Sequence, residues 1–159
     1  MVLRSNILAG FAFLMVFCAP AMAQPMCTEI GCMDGLTLRV DPGYDWKTGS
    51  YDFYFSFDGR TAECHGELPL KKCEDGPSLS CNKKGITIIE SGCALPASAH
   101  GFGDIHIEGA PKKVMVRIAH NGRTIVTRTL VADYLKSQPN GPQCGPVCES
   151  ASYDLLYAR

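Results

Sequence analysis

The segment Val114-Met-Val-Arg-Ile-Ala-His-Asn-Gly-Arg-Thr-Ile-Val-Thr-Arg-Thr-Leu130 decides the fold class. Val114, Val116 and Ile118 alternate with Met115 and Arg117, and Ile125 to Leu130 forms a second run beyond Asn121-Gly122. Successive side chains on a strand point to opposite faces, so a period of two means one buried and one wet face. Asn-Gly between two such runs is a strong hairpin signal, because both residues tolerate positive φ.

The same pattern extends upstream. Leu36, Leu38 and Val40 alternate with Thr37 and Arg39; Tyr51, Phe53, Phe55 and Phe57 alternate with Asp52, Tyr54, Ser56 and Asp58. Ala62, Cys64, Gly66 and Leu68 alternate with Thr61, Glu63, His65 and Glu67, and Asp58-Gly59 joins this run to the preceding one as a second tight turn. Short apolar strands are expected at Ile86–Ile89 and around Ile105 and Ile107. Lys71 to Lys84, with Gly76, Pro77 and two cysteines, reads as a stapled loop. Pro139, Pro142 and Pro146 exclude a regular helix and make 137–148 an extended, stapled segment that could cover a sheet edge. The tail from Ala151 is a strand or a short helix. About seven strands with Gly/Pro turns and no amphipathic helix predict an all-β, immunoglobulin-like antiparallel β-sandwich.

The N-terminus carries Arg4, then an apolar stretch from Ile7 to Phe17, then the small-x-small site Ala21-Met22-Ala23. This is the layout of a signal peptide over 1–23, cleaved between Ala23 and Gln24. The apolar run is shorter than the ~20 residues of a membrane span, so no span is expected after cleavage. Removing 1–23 leaves 136 residues, one domain's length over 24–159, and Arg4 is the only charge lost, so the net charge moves from −1 to −2. The only basic runs are the Lys-Lys pairs at 71–72, 83–84 and 112–113. Nucleic acid, which demands many clustered cations, is not an expected partner.

Cys18 leaves with the signal peptide, and the eight remaining cysteines are Cys27, Cys32, Cys64, Cys73, Cys81, Cys93, Cys144 and Cys148. An even number in a small exported domain reads as a full set of disulfides, with about 105 possible connectivities. Cys64 shares the apolar face of its strand, so a core bridge to Cys93 is expected, with Cys73–Cys81, Cys27–Cys32 and Cys144–Cys148 as local staples. The location implied is periplasmic or secreted, in a bacterial-type precursor.

No catalytic or metal constellation emerges. The spacings Cys144-x3-Cys148 and Cys27-x4-Cys32 lack a neighbouring histidine and are not CxxC, so neither zinc ligation nor helix-start redox chemistry fits. Soft copper ligation through Met26, Met33 and Cys27 or Cys32 fits the chemistry of copper, but methionines near an N-terminus are more often merely present. His65 and His106 fall on wet faces, His120 precedes a turn, and His100 with Ser98 lies in a loop without a GxSxG elbow. Glu63 and Glu67 sit roughly 13 Å apart on one strand face, beyond glycosidase pairing distances of about 5–10 Å. No cofactor, metal or catalytic residue is therefore assigned.

Two candidate binding surfaces remain. Tyr44 and Trp46, the only tryptophan, cluster with Tyr51 and Tyr54, and loop aromatics often anchor partners. Asn140 and Pro142 lie in the Pro-rich loop. Leu68-Pro-Leu before Cys73, Ser91-Gly-Cys93-Ala-Leu-Pro96, the Pro111–Thr124 hairpin and Pro139-Asn-Gly-Pro-x-Cys144-x-Pro-x-Cys148 together resemble a group of small exported proteobacterial proteins without assigned activity. The resemblance covers roughly residues 50–150. It implies an envelope domain and supplies no functional residues. The expectation is a non-catalytic β-sandwich binding an envelope component or protein partner. The alternatives are a hydrolase inhibitor acting through the Pro139–Cys148 loop, and a periplasmic metal-handling protein.

The mature protein should therefore contain no free thiol. Alkylation of native protein should add nothing, reduction should expose eight reactive cysteines, and the native mass should carry no metal adduct; a thiol that reacts before reduction contradicts full pairing.

Overall fold

The computed structural model describes residues 26–157; the expected signal peptide and its expected Ala23–Gln24 cleavage point lie outside the described residues. In chain order the strands are β1 Gly35–Val40, β2 Gly49–Phe57, β3 Arg60–Leu68, β4 Ser80–Cys81, β5 Ile86–Ser91, β6 Gly101–Ile107, β7 Lys113–His120, β8 Arg123–Val131, β9 Leu135–Ser137 and β10 Cys148–Leu156. They form two five-stranded sheets, ordered β5-β6-β1-β10-β9 and β4-β3-β2-β7-β8. The all-β sandwich expected from alternation is present, with ten strands rather than seven. The additions are the short β4 and β9, and the tail, which is strand β10.

The alternating runs fold as their parity dictates. Leu36 and Leu38 of β1, Phe53 and Phe55 of β2, Ile105 and Ile107 of β6, and Val114, Val116 and Ile118 of β7 are almost fully buried in one core. Fully burying each such side chain contributes about 1.5–3 kcal/mol, so the core is the main stabilising term. Asp58-Gly59 and Asn121-Gly122 close their hairpins with positive φ at both residues (48° and 73°; 47° and 75°), the mirror-image turn that matches strand twist.

The pairing of β1 departs from an all-antiparallel design. It is antiparallel to β6 but parallel to β10, with Gly35 opposite Ser150 and Leu38 opposite Tyr153. A parallel pair cannot be joined by a tight turn, so the two ends of the chain meet across the whole fold. That meeting fixes the disulfides. They are Cys27–Cys144, Cys32–Cys148, Cys64–Cys81 and Cys73–Cys93. All eight mature cysteines are paired, but none of the four expected pairings forms. Cys64 does point inward, at 2 % exposure, yet its partner is the residue directly opposite on β4, Cys81. Cys73 and Cys93 lie in the loops after β3 and β5, which emerge at the same end of the sandwich. Cys27–Cys32 and Cys144–Cys148 stay unformed because parallel pairing lays 27–34 beside 144–149, and each cysteine takes a partner from the other segment.

Asn140 locks the same junction. Its Oδ1 accepts from Ile30 N–H (2.7 Å) and Thr28 Oγ1–H (3.0 Å), and its Nδ2 donates to Ile30 C=O (3.1 Å) and Gly145 C=O (3.0 Å). It is 8 % exposed, with its side-chain amide turned into the seam. Pro142 nearby is exposed. The Pro-rich segment joins two strands at one end of the molecule and covers no sheet edge.

The four edges are instead blunted individually. β4 has two residues and β9 three. β5 is irregular between Ile88 and Glu90. β8 carries Ile125 as an extra residue against β7, and Arg128 shares the core-facing side of Val126. Short edges, bulges and inward-directed charges all disfavour strand addition.

Asn140→Ala should leave the Ile30 N–H and Gly145 C=O without partners. An unsatisfied buried group costs about 1–3 kcal/mol, so Asn140→Ala should lower the urea midpoint by that amount while the Asn121 hairpin turn is untouched. A change within about 0.5 kcal/mol, as for an ordinary surface site, would contradict the latch.

Candidate functional site

The two surfaces expected from the sequence lie at opposite ends of the sandwich. β1 begins opposite Ser150 and ends at Val40, so the β1–β2 loop carrying Tyr44 and Trp46 is far from Asn140 and Pro142. Trp46 is half-buried and packs on the core. Its ring meets Tyr44, Tyr51 and Phe102 edge-on at 4.9, 5.1 and 5.2 Å. Gly101 makes this possible: a Cβ there would lie 2.5 Å from Trp46 Cδ1. The Tyr51 hydroxyl donates to Lys47 C=O (2.8 Å) and accepts from Lys47 N–H (3.0 Å), and burial pushes its phenol above the ordinary range. The aromatic cluster is thus a plug for the open end of the sandwich. Of the four sequence-linked aromatics, only Tyr54 faces outward.

The histidines divide similarly. His100 accepts from Leu70 N–H at Nδ1 and donates to Leu95 C=O at Nε2, both at 2.9 Å. Both nitrogens are committed to bracing two loops, leaving none for chemistry with Ser98. His120 stacks on Tyr51 at 4.6 Å and donates to Thr48 C=O (3.0 Å). His106 contacts Thr37 Oγ1 at 3.3 Å on the outer face of the β1 sheet. The sulfurs a metal would require are consumed in disulfides. Cys32, Cys148 and Asp34 have ligand atoms within 4.8 Å of one another, but the two thiols form one bridge and Asp34 accepts from Glu149 N–H (2.7 Å).

The outer face of β4-β3-β2-β7-β8 offers a different arrangement. It holds a depression of about 570 Å³ lined by Asp52, Tyr54, Glu63, His65, Ser80 and Arg117, among others. Register builds it in rows. Glu63, Tyr54 and Arg117 are directly opposite one another on β3, β2 and β7. One row above, His65 and Ala119 flank Asp52, and Ser80 stands beyond His65. His65 Nδ1 lies 2.9 Å from Asp52 Oδ1. The Arg117 guanidinium stands 5.2 Å over the Tyr54 ring, a contact worth about 0.5–1 kcal/mol when exposed. Among the described residues, neither the Glu63 carboxylate nor the Arg117 guanidinium has an ion-pair partner. The depression exists because Ala119 and Gly122 bring little side chain to that corner.

These residues are the wet members of the alternating runs. Sequence parity places them outward but cannot reveal that residues 51–57 and 114–120 are neighbours, which is what assembles the rows. Glu63 read alone is an ordinary solvated charge; beside Tyr54 and Arg117 it is half of a charged strip.

Gly101→Ala should displace the sole indole. The expected outcome is a red-shifted tryptophan emission and a loss of about 1–3 kcal/mol, the cost of overpacking; an unchanged spectrum would contradict the plug. Comparison of the chain with protein-family models, curated proteins and solved structures finds no match.

Proposed function

We propose that this protein is a non-catalytic exported domain that binds a protein component of the bacterial envelope through the outer face of β4-β3-β2-β7-β8. The observation that carries this reading is the strip Glu63–Tyr54–Arg117: a half-buried aromatic ring between two charges of opposite sign that, among the described residues, have no ion-pair partner. Tyrosine and arginine are enriched where interfaces concentrate binding energy. The blunted edges favour a face over a strand edge as the recognition surface. Four disulfides accord with an oxidising compartment. Among the described residues no helix is long and apolar enough to cross a membrane. The resemblance to small exported proteobacterial proteins points to the same compartment.

The immunoglobulin-like reading has topological support. If β1 to β8 are given the letters B, C, C′, C″, D, E, F and G, the sheets read D-E-B and C″-C′-C-F-G. This is the order of a variable-type immunoglobulin domain. The departures are that β10, parallel to β1, occupies the place of strand A, and that no bridge joins β1 to β7. The loops used for recognition in variable domains, B–C, C′–C″ and F–G, correspond to the end closed by Trp46 and Cys73–Cys93. That closure also favours the face.

The inhibitor alternative loses Asn140 as a contact and would rest on Pro142 and its exposed neighbours. The experiment is a photo-crosslinking side chain at position 54 of the exported protein, with one at Thr87 on the opposite sheet as control. A discrete protein adduct from position 54, absent from Thr87 and lost with Arg117→Glu, supports the reading. No adduct, or turnover of a substrate that a single point mutation abolishes, contradicts it.

A further inference from the structure

The same face is self-complementary, and we infer that it pairs with a second copy of this chain in a face-to-face dimer. This rests on the binding-face reading and names the partner. Consider two copies with these faces apposed and a two-fold axis between them, parallel to β2 and passing over Tyr54. The rotation carries the β3 side of one copy onto the β7 side of the other at the same level. Glu63 of the second copy then meets Arg117 of the first, and the reverse, because Glu63, Tyr54 and Arg117 share one register row. Tyr54 meets Tyr54 at the centre. Closed two-fold contacts of this kind use one patch on both subunits.

Charge selects this axis. A two-fold axis running across the strands would set Glu63 against Glu63 and Arg117 against Arg117, and like-charge juxtaposition disfavours a partner strongly. Shape agrees. In the next row His65 and Ala119 flank Asp52 on opposite sides, so the chosen axis sets the His65 side of one copy against the Ala119–Gly122 corner of the other. That corner belongs to the depression of about 570 Å³. Asp52 meets its own copy on the axis, and each carboxylate is already held by its own His65 at 2.9 Å. With strands about 4.8 Å apart and residues about 3.4 Å apart, the central part of the face is roughly 20 by 24 Å, about 480 Å² in projection, the size of a weak, reversible interface rather than of an obligate one. The blunted edges leave edge-to-edge dimerisation without a template.

The test is a charge swap read by sedimentation equilibrium on the mature, disulfide-bonded protein at low salt. Glu63 and Arg117 are both exposed, so the variants should fold, and an unchanged melting temperature verifies it. Wild type should dimerise. Glu63→Arg alone and Arg117→Glu alone should each weaken the dimer at least ~10-fold, since each creates two like-charge contacts by symmetry. The double variant Glu63→Arg/Arg117→Glu should return to within ~3-fold of wild type. A monomer at millimolar concentration overturns self-pairing, as does a dimer indifferent to the single reversals or one that the double variant fails to restore. If position 54 still crosslinks a different protein in any of those cases, the binding face stands and only its occupant changes; if it crosslinks nothing, both fall.

Discussion

The parallel pairing of β1 with β10 is the constraint on which the rest of the fold depends. β1 is the central strand of its sheet, between β6 and β10, so the sheet is incomplete until the last strand arrives. The two ends are held there by Cys27–Cys144 and Cys32–Cys148, which span 117 and 116 residues. In the chain-entropy model, closing a loop of that length contributes about 5 kcal/mol through the unfolded state. The second bridge then closes only a small additional ring and contributes less. The bridges spanning 17 and 20 residues contribute about 3 kcal/mol each in the same model. Asn140 adds rigidity at the seam rather than length of loop. The molecule is therefore closed twice: by disulfides at the end where the N-terminal segment meets the segment before β10, and by the Trp46 cluster at the other, where β10 ends beside Val40.

Those closures explain why the loops are poor candidates for recognition. Trp46 fills the gap between the sheets with Tyr51 and Phe102, and His100 spends both ring nitrogens on neighbouring backbone. At the opposite end Asn140 faces inward. The outer face around Tyr54 keeps its side chains out of both closures and carries Glu63 and Arg117 on either side of the ring. There the rigidity of the strands holds the side chains in fixed rows, which limits the ordering entropy lost on binding.

The local level of this structure was legible in the sequence, and the global level was not. Period-two alternation assigned Leu36, Phe53 and Val116 to the core, and the Asn-Gly and Asp-Gly pairs located two hairpins with the right backbone geometry. Tail strand β10 escaped because Cys148–Leu156 mixes serines, charges and only a few apolar residues, so its burial is decided by its neighbour β1. The disulfides escaped for a related reason. Cys64 was correctly directed inward, but which cysteine stands opposite depends on register between strands, and register is a tertiary fact. The rows around Tyr54 were hidden for the same reason. Tyr54 and Arg117 are 63 positions apart in the chain and adjacent in the sheet, whereas Tyr44 and Trp46 drew attention by clustering in sequence while serving the core.

The closure of the chain ends is tested most directly by mapping disulfide-linked peptides from unreduced mature protein. The pairing described here predicts that Cys27 is recovered with Cys144 and Cys32 with Cys148, each linking the N-terminal segment to the segment before β10. Recovery of Cys27 with Cys32 and Cys144 with Cys148 would leave the ends unjoined and would contradict the β1–β10 seam on which the fold is built.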